Sequence, residues 1–380
     1  MLQLAEAQPG GGGIAMSLLM SRQPWIRSAV FDGAWILAPA WAVGAVLLLF
    51  PGMRASGTVV SPLVWLLLVV GVDVAHVYAT LFRTYLDKRE FAARSGLYLG
   101  APLAAYVLGV LLYMAGEQWF WSVLAYVAVF HFVRQQYGLM MLYRRGDSDL
   151  PRWTLRVDQA FAYGATLYPL IWWHANLPRE YVWFVPGDFL PVTRAVLPAA
   201  TAIYWAIVIG WSGQQVWRAT AGRLNLPLAL LLAGTALSWN CGIVLTAGDL
   251  GFTFANVLAH GIPYIALVWL YRENGQRTLP VPGRGWVRAW PIYLCILIAL
   301  AWFEEGMWDG LIWREHGALF GWSDWLPRVY SGDWLALVVP LLALPQATHY
   351  ILDGFIWRMR THPEWRGILF ARAGSQVMGG

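Results

Sequence analysis

Charge is scarce in this chain. Only 12% of its 380 residues are Asp, Glu, Lys or Arg, against about 25% in ordinary soluble domains. Lysine is nearly missing: Lys88 is the sole one, and the other basic side chains are arginines. A water-soluble core cannot absorb so apolar a composition, which excludes an ordinary soluble enzyme. The two cysteines, Cys241 and Cys295, lie in separate apolar runs, which excludes a disulfide framework and a zinc ribbon. No GxSxG, P-loop, HExxH or CxxC occurs, so the familiar nucleophile, phosphate and zinc-protease signatures are out. Residues 1–16 lack both a basic leader and an apolar run, and so do not read as a signal peptide. Their glycine run reads as disordered, and Met16 is a second candidate start.

Apolar side chains fill the space that charge leaves. They make up 59% of the residues, and mean hydropathy is +0.52. The 25 Trp and 17 Tyr suit a chain with many membrane–water boundaries. A crossing needs about 20 mostly apolar residues. Ten such stretches are expected, near 29–50, 60–82, 97–116, 119–142, 153–174, 192–212, 226–247, 250–271, 288–305 and 332–355. The expected fold is therefore an all-α, polytopic membrane bundle of about ten transmembrane helices. One transmembrane domain covers 29–357, between an N-terminal segment, 1–28, and a tail, 358–380. The Trp-rich stretch 306–331 reads as an interfacial loop.

The basic residues provide a check on this division. Five of the 26, Arg54, Arg179, Arg194, Arg314 and Arg328, fall in loops on one side, and the other 21 fall on the opposite side. Cytoplasmic loops carry the excess of Lys and Arg. Both termini are therefore expected in the cytoplasm, in an inner, cytoplasmic membrane. The pI near 9.2 then records topology, and no nucleic-acid partner is expected.

Four of the seven histidines lie within expected spans: His76, His131, His260 and His349. All four spans run inward. The histidines precede the inner arginines Arg83, Arg144, Arg272 and Arg358 by seven to thirteen residues, or about 10–20 Å at 1.5 Å rise per residue. They therefore share one layer. Asp73 stands three residues before His76 and Asp353 four after His349, each on its histidine's helix face. A charged group at the bilayer centre costs at least about 2.5–3.5 kcal/mol and usually faces a bundle interior. Imidazole with carboxylate suits first-row metals, and a 2-His-1-carboxylate set is a non-haem iron arrangement. The expected ligands are His76, His131, His260 and His349, with Asp73 and Asp353 as ligands or as carboxylates that orient the rings. One or two iron ions head the list, with another first-row metal or a haem as alternatives. Gln135, Tyr264 and Asp32 are expected to orient substrate or water.

Other polar groups have plainer readings. Asp32 and Asp158 also suit helix N-caps or first-turn charges. Arg83 and Arg134 suit anchors that snorkel. Glu304 and Glu305 read as solvated at the outer face. Pro263 and Pro345 read as kinks that open a cavity.

The segments "DVAHVYATLFRTY", "HFVRQQYG", "AHGIPY" and "HYILDGFIWR" place histidines near one face of a multi-span bundle. This architecture resembles the Brp/Blh-like carotenoid-cleaving enzymes and the membrane desaturase and hydroxylase group, although the HxxxH and HxxHH boxes of the latter are absent. The resemblance implies dioxygen chemistry on a lipid-soluble isoprenoid or acyl substrate, with an electron donor where electrons come from outside. Two alternatives are a transporter with an intramembrane His/Asp relay and a b-type haem protein.

The topology predicts the behaviour of reporter fusions. A reporter active only in the cytoplasm should work at Gly380 and be silent when inserted after Arg179. The opposite pattern would overturn the orientation.

Overall fold

The computed structural model describes residues 23–179, 181, 185–278, 289–357 and 367–370. Among these residues the structure is helical and contains no strand, so the all-α fold is as expected. The helices are α1 (Ala29–Leu49), α2 (Pro62–Arg83), the short α3 (Lys88–Ala93), α4 (Ser95–Ala115), α5 (Glu117–Arg144) and α6 (Arg152–Ala175). They are followed by α7 (Arg194–Thr220), α8 (Leu226–Val244), α9 (Asp249–Thr278), α10 (Trp290–Trp313), α11 (Gly332–Leu342) and α12 (Leu344–Ile356).

Local chemistry explains several starts. The Ser28 hydroxyl accepts the Phe31 amide, and Ser61 accepts the Val64 amide with Pro62 at the first helical position. Asn225 likewise accepts the Leu228 amide, with Pro227 in the first turn. Each cap satisfies an amide that the helix itself cannot.

Among the described residues, seven helices are long and apolar enough to cross a membrane: α1, α2, α4, α7, α8, α9 and α10. The pair α11 and α12, bent by 45° at Ala343, counts as an eighth if taken as one broken crossing. This measure does not reach the expected ten. The remaining two, α5 and α6, have the length but not the composition. They carry Arg134, Gln135, Gln136, Asp158 and Gln159, and most of these serve neighbouring helices rather than lipid.

Outward faces are apolar. On α4, Leu99, Leu103, Val107, Leu111 and Met114 are exposed, a stripe at helical spacing. Ile203, Ile209 and Val216 do the same on α7. Contiguous apolar surface of this kind belongs against lipid. The protein is an integral membrane helix bundle, and α9, packed against α1, α2 and α8, is among its most enclosed helices.

A buried ionic clasp closes one end of the bundle. The Asp158 carboxylate on α6 accepts from Arg144 on α5, from Arg218 on α7 at 2.8 Å and from Gln214 at 2.8 Å. Asp147 accepts from Arg218 at 3.0 Å and from Asn225 at 3.0 Å. Two guanidinium groups and two carboxylates thus tie four helix ends together. The sequence offered Asp158 as a helix cap or first-turn charge; it is instead the hub of this clasp. The same end carries residues 23–28 and 367–370. Ile26, Ile368 and Leu369 join the core there, and Arg145 lies 3.8 Å from the Phe370 ring centre. The opposite end is tied by backbone: Ala247 N–H donates to Arg54 O at 2.8 Å, and Asp249 N–H to Thr58 O at 3.0 Å.

Removing one partner of a buried ion pair costs about 3–5 kcal/mol, because the other charge is left uncompensated. Asp158→Ala should therefore lower the thermal unfolding midpoint in detergent markedly. Asp149→Ala is the control. Asp149 faces Arg223 at 3.6 Å on the exposed surface, and its loss should change the midpoint little. Equal midpoints for the two variants would contradict the clasp.

Candidate metal centre

Four helices each deliver one imidazole to a common point. His76 comes from α2, His131 from α5, His260 from α9 and His349 from α12, and all four are buried. One nitrogen of each lies within 4.8 Å of those of the others. The His76 and His260 Nε2 atoms are 3.1 Å apart, and those of His349 and His131 3.2 Å. The ring planes cross steeply, with centroids 4.6–5.0 Å apart. The histidines that the sequence set in one layer therefore meet.

Backbone packing brings the rings this close. Gly261 follows His260, and a Cβ there would stand 2.8 Å from Val72 Cγ1 and 3.2 Å from Val72 O. Its absence lets α9 press against α2 where His260 meets His76. Before His76, α2 winds as a π-helix over Leu66–Val74, a feature frequent at functional sites. The break at Ala343 and Pro345 at the start of α12 separate the direction of α12 from that of α11. Pro263, by contrast, sits inside a continuous α9.

The outer nitrogens are backed by other groups. The His76 Nδ1 lies 3.7 Å from Asp73 Oδ1, and His131 Nδ1 lies 3.5 Å from Asp353 Oδ2. His349 Nδ1 is 2.7 Å from Thr80 Oγ1, which is 3.0 Å from the Tyr264 hydroxyl. Asp353 also accepts from Trp357 Nε1 at 2.7 Å. Asp73 and Asp353 thus stand behind the rings, where orienting carboxylates stand, and not among the converging nitrogens. Asp353 serves His131 on α5 rather than its helix neighbour His349, whose partner is Thr80. The sequence analysis missed Thr80, although its position four residues after His76 puts it on the same face of α2.

The other expected site residues are dispersed. Tyr264 is linked to His349 through Thr80, by two hydrogen bonds, with its ring edge-on to the imidazole at 5.0 Å. Gln135 is buried and donates to the His260 backbone carbonyl at 2.9 Å, so it joins α5 to α9. Asp32 does not join the site. Its carboxylate accepts from the Ile26 and Arg27 amides at 2.6 and 3.0 Å and from the Tyr143 hydroxyl at 3.1 Å, pinning the segment before α1. Arg83 does not snorkel. It is fully buried, with its guanidinium 4.1 Å from the Tyr271 ring centre, 3.2 Å from Glu90 and donating to Ile356 O at 3.0 Å. Arg134 is exposed and donates to Tyr163 at 2.7 Å. Glu304 is buried, because α10 continues past it to Trp313. His174 bonds Tyr126 at 3.1 Å, and His316 stacks on Trp65; neither touches the cluster. His362 lies outside the described residues.

The donor set fits a cation. An imidazole that gives its Nδ1–H to a carboxylate presents a lone pair at Nε2. With hydrogen on the Nδ1 turned toward Asp73 or Asp353, His76 and His131 would each aim such a lone pair at the centre. Nε2 atoms 3.1–3.2 Å apart match neighbouring ligands of one ion, since bonds of about 2.1 Å put them about 3.0 Å apart at a right angle. The carboxylates would hold the rings in place and raise their basicity. No family model, curated protein or solved structure matches the chain, so this geometry carries the functional reading.

Losing an outer partner of a ligand typically costs 10–100-fold in metal affinity. Asp353→Asn and Thr80→Val should each weaken metal retention by about that factor, acting through His131 and His349 respectively, and His349→Ala should abolish it. The measurement is metal per protein after purification, with monodispersity as control. Wild-type metal content in all three variants would make the cluster structural.

Proposed function

We propose that the protein is a membrane-embedded, metal-dependent oxidoreductase. It holds one first-row metal ion, iron foremost, on His76, His131, His260 and His349. It uses dioxygen on a lipid-soluble isoprenoid or acyl substrate. The site lies in the cytoplasmic half of a cytoplasmic membrane, with both termini inward. The observation that carries this reading is the meeting of four buried imidazole nitrogens within 4.8 Å. Imidazole suits iron, copper and zinc. Four ligands on an ion that accepts six leave positions open for substrate or dioxygen, as the non-haem oxygenases require. The apolar surroundings favour a hydrophobic substrate reaching the site from the bilayer.

The two alternatives differ in their support. Four rings converging this tightly leave no flat space for a porphyrin, which argues against a haem. A transporter with a His/Asp relay draws on one observation: Glu304 is a buried carboxylate within α10, and an intramembrane carboxylate also marks proton paths.

One experiment separates the readings. Protein loaded with ferrous iron is mixed with membrane lipid extract and oxygen uptake is followed. The same protein in liposomes is assayed for proton flux. Oxygen uptake with an oxidised lipid product, lost in His131→Ala, is the expected result. Proton flux without oxygen uptake would replace the enzyme with a transporter.

A further inference from the structure

Of the four histidines, His349 has a hydrogen-bonded side chain at Nδ1, His76 and His131 each have a carboxylate 3.5–3.7 Å from Nδ1, and among the described residues His260 has neither. His76 faces Asp73, His131 faces Asp353 and His349 faces Thr80. The Nδ1 atoms of His76 and His260 are both buried without a hydrogen-bond partner among the described residues, but only His76 has a carboxylate close enough to shift onto it. A buried imidazole N–H left unpaired is costly, and at a metal ligand it leaves the ring free to swing.

A small cavity opens beside this ring. His260 lines it together with Asn256, Gln136 and Ser238, and with the apolar Phe132, Trp239, Ala255 and Ala259. It has room for about one water molecule. Asn256 stands four residues before His260 on α9, on the same face. Its amide nitrogen donates to Phe252 O at 2.8 Å, which leaves the amide oxygen as an acceptor. The Ser238 hydroxyl donates to Thr235 O at 3.2 Å and can still accept. The Gln136 carbonyl oxygen accepts from Thr235 at 2.9 Å, which leaves its amide N–H groups to donate. Two donors, His260 Nδ1–H and Gln136, thus line the cavity with two acceptors, Asn256 Oδ1 and Ser238 Oγ. This is the complement that a buried water with two to four partners needs.

We infer that a structural water in this cavity, held chiefly by Asn256, accepts the Nδ1–H of His260 and orients the fourth metal ligand. The inference rests on the metal reading of the cluster. Asn256 is accordingly a positioning residue, acting on the ion through water and His260. A water is a weaker and more exchangeable partner than the carboxylates behind His76 and His131. His260 is therefore the least firmly held ligand, and the cavity is the side on which the coordination sphere gives way first.

The test uses the full-length protein in detergent loaded with cobalt(II), whose visible absorption reports ligand geometry. Asn256→Leu removes the acceptor and fills the cavity. It should weaken cobalt binding by about 10–100-fold and change the visible bands, while Asn256→Asp, which keeps an acceptor, restores both. Ser238→Ala provides a second variant should Asn256→Leu aggregate, and should shift affinity in the same direction by less. Wild-type affinity and unaltered bands in Asn256→Leu, or in Ser238→Ala where that variant stands in, overturn the inference and leave the metal reading standing. A wild type that binds no cobalt overturns both.

Discussion

Four buried imidazoles turn nitrogens to one point, and what holds those nitrogens together, shared protons or a metal ion, governs the rest of the site. His76 Nε2 lies 3.1 Å from His260 Nε2, and His349 Nε2 lies 3.2 Å from His131 Nε2. In the tautomer with hydrogen on the Nδ1 that faces a carboxylate, Nε2 has no hydrogen to offer. Facing lone pairs repel unless a proton or a metal ion lies between them. A single shared proton serves one pair; a metal ion serves four nitrogens at once. Asp73 and Asp353 add negative charge just outside the rings and make a cation at the centre still more favourable. The membrane interior strengthens each of these terms, because little solvent is present to screen them.

The fold answers this constraint by fixing four helices that are distant in sequence. α9 occupies the middle, and Gly261 lets it touch α2. At one end, Asp158 gathers Arg144 and Arg218, which holds α5, α6 and α7 in one relation. The Trp-rich segment after α10 turns back on that helix: Asp309 accepts the Glu315 and His316 amides at 2.8 and 2.7 Å. Gly306 is bare where a Cβ would meet Trp322 at 2.2 Å. The rigid periphery uses polar chemistry at the ends of the bundle and apolar packing along its flanks. The centre can therefore carry charge without loosening the bundle.

Much of this was legible in sequence. Scarce charge, apolar runs and one-sided arginines define an all-helical membrane chain, and the shared depth of His76, His131, His260 and His349 anticipates their meeting. What was hidden depends on contacts between distant segments. Spacing along one helix pairs Asp353 with His349, but the three-dimensional packing gives it to His131. Arg83 reads as an anchor from its place at a helix end, yet it is enclosed by Tyr271, Trp357 and Glu90. Asp32 shares the layer of the histidines in sequence but is consumed by two amides and a tyrosine. Hydropathy marks where a helix can lie in lipid. It also grades α5 and α6 below the other spans, because they carry polar side chains, several of which face protein.

The central claim is that one metal ion binds four imidazoles. X-ray absorption on the purified, metal-loaded protein tests it most directly, because it counts the atoms bonded to the metal. The account predicts about four imidazole nitrogens at roughly 2.0–2.2 Å, with the multiple-scattering pattern of the rings, and one ring fewer in His131→Ala. A first shell dominated by oxygen or sulfur, or a wild-type spectrum unchanged by that substitution, would contradict it.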